Sequence, residues 1–324
     1  MRYLRGMVAM AESKTIKTMR DAVIGKIYEK MHGNDKIFFL SADFGAPTLD
    51  KVREDFPERF INVGIAEQNL VNVACGLALE GFVVYAYAIT GFLSMRAYEQ
   101  IRVNLALSSQ YRPVNVNLVG VGAGVSYDVA GPTHHCLEDI SIMRTLPNIV
   151  TCSPCDWVTA ERFVDFSIEN NVPKYIRLDG KPLPNIYEQE ADIDWGKGFN
   201  ELIAGRDTCV VSTGYMTHRS KEIIGSLCGG DIGLIDVFNM APDGQALAAS
   251  LGKYKRVVTI EEGFKNRGGL DSLILQLIND KGLDVKFSNM GFGSKYIFKS
   301  GGREVIYEAA GLSKEDMVKV ITEG

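Results

Sequence analysis

The chain has 324 residues, a formal net charge of −5, 46% hydrophobic residues and 23% charged residues. That is an ordinary globular balance, and at about 150 residues per domain it predicts two cores. No basic stripe stands out, which argues against nucleic acid as a partner, and a mild negative charge leaves anionic substrates open because local arginines decide that. In the N-terminal MRYLRGMVAMAESK, Glu12 and Ser13 arrive too soon for a signal-peptide core. The sequence has no run of about 18 apolar residues, so no membrane span is expected. The six cysteines (Cys75, Cys136, Cys152, Cys155, Cys209 and Cys228) lie in apolar or loop contexts without a dense framework. This predicts reduced thiols in a cytoplasmic protein.

Residues 13–32 predict a helix, capped by Ser13 or Thr15, with apolar positions at Ile16, Met19, Val23, Ile27 and Tyr28. KIFFLSADF (36–44) predicts a buried strand with a polar, Gly-Pro-containing exit, and RFINVG (59–64) a second strand. An apolar helix then runs to Gly81, followed by strand FVVYAYAIT (82–90). Helix FLSMRAYEQIRVNLALSS precedes strand VNVNLVGVG (114–122) and a glycine-rich loop from Gly120 to Gly131. Helix HCLEDISIMRTL, strand NIVTCSP, helix DWVTAERFVDFSIEN and strand KYIRLD complete the first unit. Residues 180–207 change to a proline-containing and then acidic stretch, which reads as a linker. A second alternating unit runs from TCVVSTG (208–214) to the helix SKEDMVKVITE. Continuous apolar strands between helices predict an α/β fold of two domains, 1–190 and 191–324, each a mostly parallel sheet flanked by helices.

Several segments carry more than fold. FINVGIAEQNLVNVACGLALEG (60–81) is followed in order by FLSMRAYEQIR (92–102), by GVGAGVSYDVAGPTHHCLEDISIMRTLPN (120–148), and by SPCDWVTAE, YIRL and EEGFKNRGGLDS. Together these blocks resemble the pyrimidine-binding and C-terminal domains of the transketolase and deoxyxylulose phosphate synthase family. The resemblance covers nearly the whole chain and is strongest from Ile37 to Leu178. It implies a thiamine diphosphate-binding fold and transfer of a two-carbon ketol unit from a ketose to an aldose.

By position alone, Glu67 reads as a solvated acid in the first turn of a helix, where negative charge is favourable. By resemblance it hydrogen-bonds a ring nitrogen of the cofactor's aminopyrimidine and promotes loss of the thiazolium proton. Ile65, Phe92, Met95 and Tyr98 are the implied lining of that ring's pocket. The last three approximate one helix face, a spacing that equally suits core packing. His134, in Gly131-Pro132-Thr133-His134, is implied to face the thiazolium carbon and contact donor oxygens, with His135 pointing elsewhere. Arg20 and Arg177 match arginines that hold the sugar's phosphate, or are ordinary ion-pair arginines.

This chain departs from the family's pattern at Ala130, Gly122 and Pro47, where an aspartate, a histidine and a serine are usual; Thr48 stands beside Pro47. Those departures predict a different sugar or acid group from the usual pentose phosphates. The glycine loop lacks the spacing of a dinucleotide fingerprint. Cys152-Ser-Pro-Cys155 has no second pair at zinc-finger spacing, so no metal ligand is expected in this chain.

No Gly-Asp-Gly diphosphate-binding signature occurs here. The resemblance therefore implies a split enzyme. Thiamine diphosphate would lie between this chain and an N-terminal diphosphate-binding subunit that holds most of the Mg²⁺, in a dimer of heterodimers acting on a sugar or sugar phosphate. Two rivals stay open: the beta subunit of a 2-oxoacid dehydrogenase or a deoxyxylulose phosphate synthase-like enzyme, and a non-catalytic regulatory subunit.

Overall fold

A computed structural model describes residues 15–227, 231–299 and 301–323. Ser13 and Cys228 lie outside the described residues. The first unit begins with a two-residue strand β1 (Ile16–Lys17) and helix α1 (Met19–Gly33). The helix is capped by Thr18, whose side chain accepts from the Asp21 N–H, rather than by Thr15. There follow β2 (Ile37–Ser41), α2 (Pro47–Asp55), β3 (Phe60–Asn62), α3 (Glu67–Leu79) and β4 (Val83–Ile89). The next helical stretch is irregular: wide π turns at Phe92–Arg96 and Ile101–Leu107 flank a short α4 (Tyr98–Gln100). Then come β5 (Val116–Val121), α5 (Asp139–Arg144), β6 (Val150–Cys152), α6 (Trp157–Glu169), β7 (Lys174–Leu178) and β8 (Leu183–Pro184).

Six of these strands form one parallel sheet in the order β3-β2-β4-β5-β7-β6. The central strands are apolar because both faces are covered. One face packs Phe39, Tyr85 and Val119 against α1 and α6; the other packs Leu40, Val84 and Leu118 against α3 and the irregular helix. Strand order reverses direction around β2 and β4. Ligands of open parallel sheets bind outside the carboxyl ends of strands at such a point.

The second unit contains β9 (Phe199–Ile203), β10 (Thr208–Ser212), α7 (Tyr215–Ser226), β11 (Ile232–Val237), α8 (Gly244–Leu251), β12 (Arg256–Phe264), α9 (Leu270–Asp280), β13 (Lys286–Phe292), α10 (Arg303–Ala310) and α11 (Lys314–Thr322). Its five-stranded sheet runs β13-β12-β10-β11-β9 and is parallel except for β9. The expected linker thus contributes an edge strand. Ile193 and Trp195 from the same stretch pack into the first unit's core beside Phe163 and Phe238. Two further elements arise, one where a polar exit from β2 was expected and one in a stretch to which no element was assigned. Pro47 starts α2 from the first helical turn, where a missing N–H costs nothing. Gly302, at φ +98, turns the chain into α10.

Candidate active site

Four side chains from three different loops meet at the carboxyl edge of the first sheet. Glu67 opens α3 immediately after the turn that follows β3, and its side chain is only 3% exposed. Arg96, in the first π turn after β4, donates from Nη1 to Glu67 Oε2 at 2.6 Å. The Arg96 guanidinium also lies over the Phe92 ring at 4.9 Å. Phe92 in turn meets the His134 imidazole edge-to-face, with ring centroids 5.4 Å apart. Glu67, Arg96, Phe92 and His134 therefore form one continuous run of contacts.

An apolar shelf borders the carboxylate. Ile65 is 76% exposed and Met95 43% exposed. A nearly buried acid beside uncovered apolar and aromatic surface suits a flat heteroaromatic ring with a ring nitrogen that the acid can meet. The arrangement fits the aminopyrimidine half of thiamine diphosphate. Among the described residues, no group of three or more His, Cys, Asp or Glu stands close enough to hold a metal ion.

The loop that carries His134 is held from both ends and from behind. The N–H groups of Gly122 and Ala123 donate to Leu178 O at 2.9 and 3.0 Å. Gly124 and Cys136 pair antiparallel to close the neck. From the second unit, Glu262 accepts from Val125 N at 3.3 Å and from the Tyr307 hydroxyl at 2.5 Å. Any β-carbon at Gly124, which sits at φ +58, would run into the Glu262 carboxyl group. Arg303, stacked 3.9 Å from the Tyr215 ring, binds Asp179 just after β7. At the loop's end, His134 Nδ1 is 3.0 Å from the Thr133 hydroxyl. His135 turns the other way and is buried, and that burial lowers its pKa.

Arg20 lies half-buried on α1. Its Nε and Nη2 meet the two Asp21 carboxylate oxygens at 2.9 and 3.2 Å. Burial pulls its pKa down, but the Asp21 bond and charge, with Tyr87 and Tyr127 nearby, raise it on balance.

Two of the expected site residues are engaged by internal partners. Arg177 is 3% exposed and its Nε donates to Asp139 Oδ2 at 2.7 Å, while the Tyr175 hydroxyl donates to the same oxygen. It is the cation of an internal pair, buried under the sheet edge rather than open to a substrate. Tyr98 directs its hydroxyl to Ile142 O at 3.0 Å and meets Thr145 Oγ1 at 2.7 Å. Arg96, four residues on from Phe92, lies over its ring. Sequence reasoning missed Arg96 because its partner Glu67 is 29 residues away. The pairing of Glu262 with Tyr307, 45 residues away, also lay beyond it.

Known proteins share this architecture. Residues 16–184 match the transketolase pyrimidine-binding domain and residues 199–317 the transketolase C-terminal domain. The chain belongs to the transketolase family. It is 32% identical, over 82% of its length and 84% of the relative, to one of the subunits of the apulose-4-phosphate transketolase of Actinobacillus succinogenes. It is 28% identical, over 94% of both chains, to a subunit of the 6-deoxy-6-sulfo-D-fructose transketolase of a Clostridium species. A solved split-gene transketolase, an inactive β4 tetramer, superimposes with a TM-score of 0.81 and 29% identity, covering 94% of this chain and 97% of that one. The chain is thus a transketolase-type transferase subunit of the split kind, with the pyrimidine-binding and C-terminal domains on one polypeptide.

Proposed function

We propose that this chain is the pyrimidine-binding subunit of a two-chain transketolase that moves a two-carbon ketol unit from a ketose or ketose phosphate to an aldose. The observation that carries this reading is Glu67: a nearly buried carboxylate, fixed by Arg96, beside an uncovered apolar shelf and across Phe92 from His134. Thiamine diphosphate, when bound, supplies a nucleophilic carbon for cutting and remaking the sugar's carbon–carbon bond. Glu67 accepts or shares a proton with the ring nitrogen while Arg96 holds its other oxygen in place. Phe92, Ile65 and Met95 pack the ring and keep water from its face. His134 has Nδ1 engaged by Thr133, which leaves Nε2 to donate to a substrate oxygen or take its proton.

The diphosphate and Mg²⁺ fall to an N-terminal subunit, a reading supported by this chain's match to the pyrimidine-binding and C-terminal domains. Two copies of each chain would make a heterotetramer. The five described cysteines are all buried and free, in keeping with a cytoplasmic setting. No helix among the described residues is long and apolar enough to cross a membrane.

Coexpression with the diphosphate-binding subunit tests the reading. Ketol transfer should appear only with both chains present and should vanish in Glu67→Ala. Decarboxylation of pyruvate with an artificial electron acceptor, or transfer unchanged by Glu67→Ala, would overturn it.

A further inference from the structure

A cleft opens where α5 of the first unit faces the loops that follow β12 and β13 in the second. It holds about 380 Å³ and takes its lining from both units: Glu138 and Ile142 on one side, Phe264, Arg267, Lys295 and Tyr296 on the other. Such a volume, in a cleft between two domains, is usual for a small-molecule site. No residue of the Glu67, Arg96, Phe92 and His134 run lines it.

The two walls are tied to each other. The Phe264 N–H donates to Leu137 O at 3.2 Å. Arg144, in the last turn of α5, donates from Nη1 to Gly268 O and, at 2.8 Å, to Gly269 O. The Tyr296 hydroxyl donates to Glu138 Oε1 at 3.0 Å. A cleft braced at these points is largely formed before a ligand arrives, which lowers the cost of binding.

Its surface is of two kinds. Ile142, Phe264 and Tyr296 supply apolar and aromatic area, with the two rings edge-to-face 5.6 Å apart and Tyr296 still 55% exposed. The charges do not cancel. Glu138 commits both oxygens to protein donors, Oε1 to Tyr296 and Oε2 to the Leu137 N–H. Arg267 donates from Nη2 to the neutral Ser294 hydroxyl at 3.3 Å and meets no carboxylate among the described residues. Lys295 has no ion pair among them either. Two cations against one acid leave one positive charge over, in a chain whose net charge is −5. That excess matches a singly charged anion. The guanidinium fork suits the paired oxygens of a carboxylate, and the apolar walls suit a flat ring.

We propose that this cleft binds an aromatic carboxylate, with its ring against Ile142, Phe264 and Tyr296 and its carboxylate between Arg267 and Lys295.

Isothermal titration calorimetry of the full chain tests this with 2-naphthoate and its uncharged counterpart, 2-naphthylmethanol. Naphthoate should bind with a Kd of about 0.1 mM, a usual strength for a ligand of that size. The alcohol should bind about tenfold more weakly, the difference made by one charge-assisted contact. Arg267→Gln and Lys295→Gln should each weaken naphthoate about tenfold and leave the alcohol unchanged, which shows that the cleft is intact. Lys51→Gln, which removes an equal charge from α2, should change neither ligand. No naphthoate binding, equal affinity for acid and alcohol, or naphthoate binding that neither cleft variant weakens would overturn the proposal. The same loss in Lys51→Gln would do so as well, because it would mark a response to overall charge. Binding that disappears when the diphosphate-binding subunit is coexpressed would also overturn it, since the cleft would then belong to the contact between subunits.

Discussion

Arg96 Nη1 and Glu67 Oε2 are 2.6 Å apart, one side chain 47% exposed and the other 3%. The pair joins the start of α3 to the π turn after β4 and holds one Glu67 oxygen in place. A buried carboxylate without such a partner would be expensive to keep charged. Glu67→Gln should therefore lower ketol transfer about 100-fold or more, the range for losing a positioned acid or base. Copurification with the partner subunit should persist. Arg96→Ala should cost less, about tenfold, since it removes one charge-assisted bond and leaves the carboxylate in place. Steady-state rates of both variants check this.

Glu262, held by the Tyr307 hydroxyl within the second domain, accepts from the Val125 N–H and so ties that domain to the loop that carries His134. Tyr307→Phe should lower stability by about 1 kcal/mol. Glu262→Ala should cost about 2–3 kcal/mol, because it also leaves the buried Tyr307 hydroxyl without an acceptor. Denaturant midpoints at constant slope measure both.

Gly124 is a sharper probe of the same contact. Alanine there meets both an unfavourable φ of +58 and the Glu262 carboxyl group. Gly124→Ala should destabilise by more than about 2 kcal/mol. Gly25→Ala, with nothing within 4 Å of the added carbon, should be tolerated. Thermal melts of the two variants provide the comparison.

The alternating α/β pattern and both sheets were legible because each depends on local order, and the sequence also singled out Glu67, Phe92 and His134, which the structure brings together through Arg96. Apolar strands flank helices, and the motif blocks are contiguous. What escaped depended on partners distant in sequence or on backbone detail. The Arg177–Asp139 pair is internal because α5 begins only at Asp139, beneath the end of β7. A π turn cannot be read from an apolar spacing that an α-helix would also satisfy. Strand β9 was hidden because an edge strand in a polar stretch has weak alternation.

Lys174 should give stability a dependence on pH near neutrality. Its ammonium is fully buried among three oxygen acceptors (Asn115 Oδ1, Asn170 O and Val172 O), and burial pushes its pKa down to about 7. The unfolded chain binds this proton more tightly, with the ordinary value of 10.5. This group should therefore make stability rise as pH increases from about 7 towards 10.5, and its contribution should level off at its lowest below about 7. Lys174→Met should flatten that slope. Urea midpoints across this range report the result.

The division of labour between two chains is the central claim, and retained cofactor measures it most directly. The chain is purified through a tag on itself, once alone and once coexpressed with the diphosphate-binding subunit, and thiamine diphosphate is quantified after gel filtration in magnesium buffer. The account predicts about one cofactor per pair of chains in the complex and none on the chain alone. Tight binding by the chain alone, or a stable complex that retains no cofactor, would contradict it.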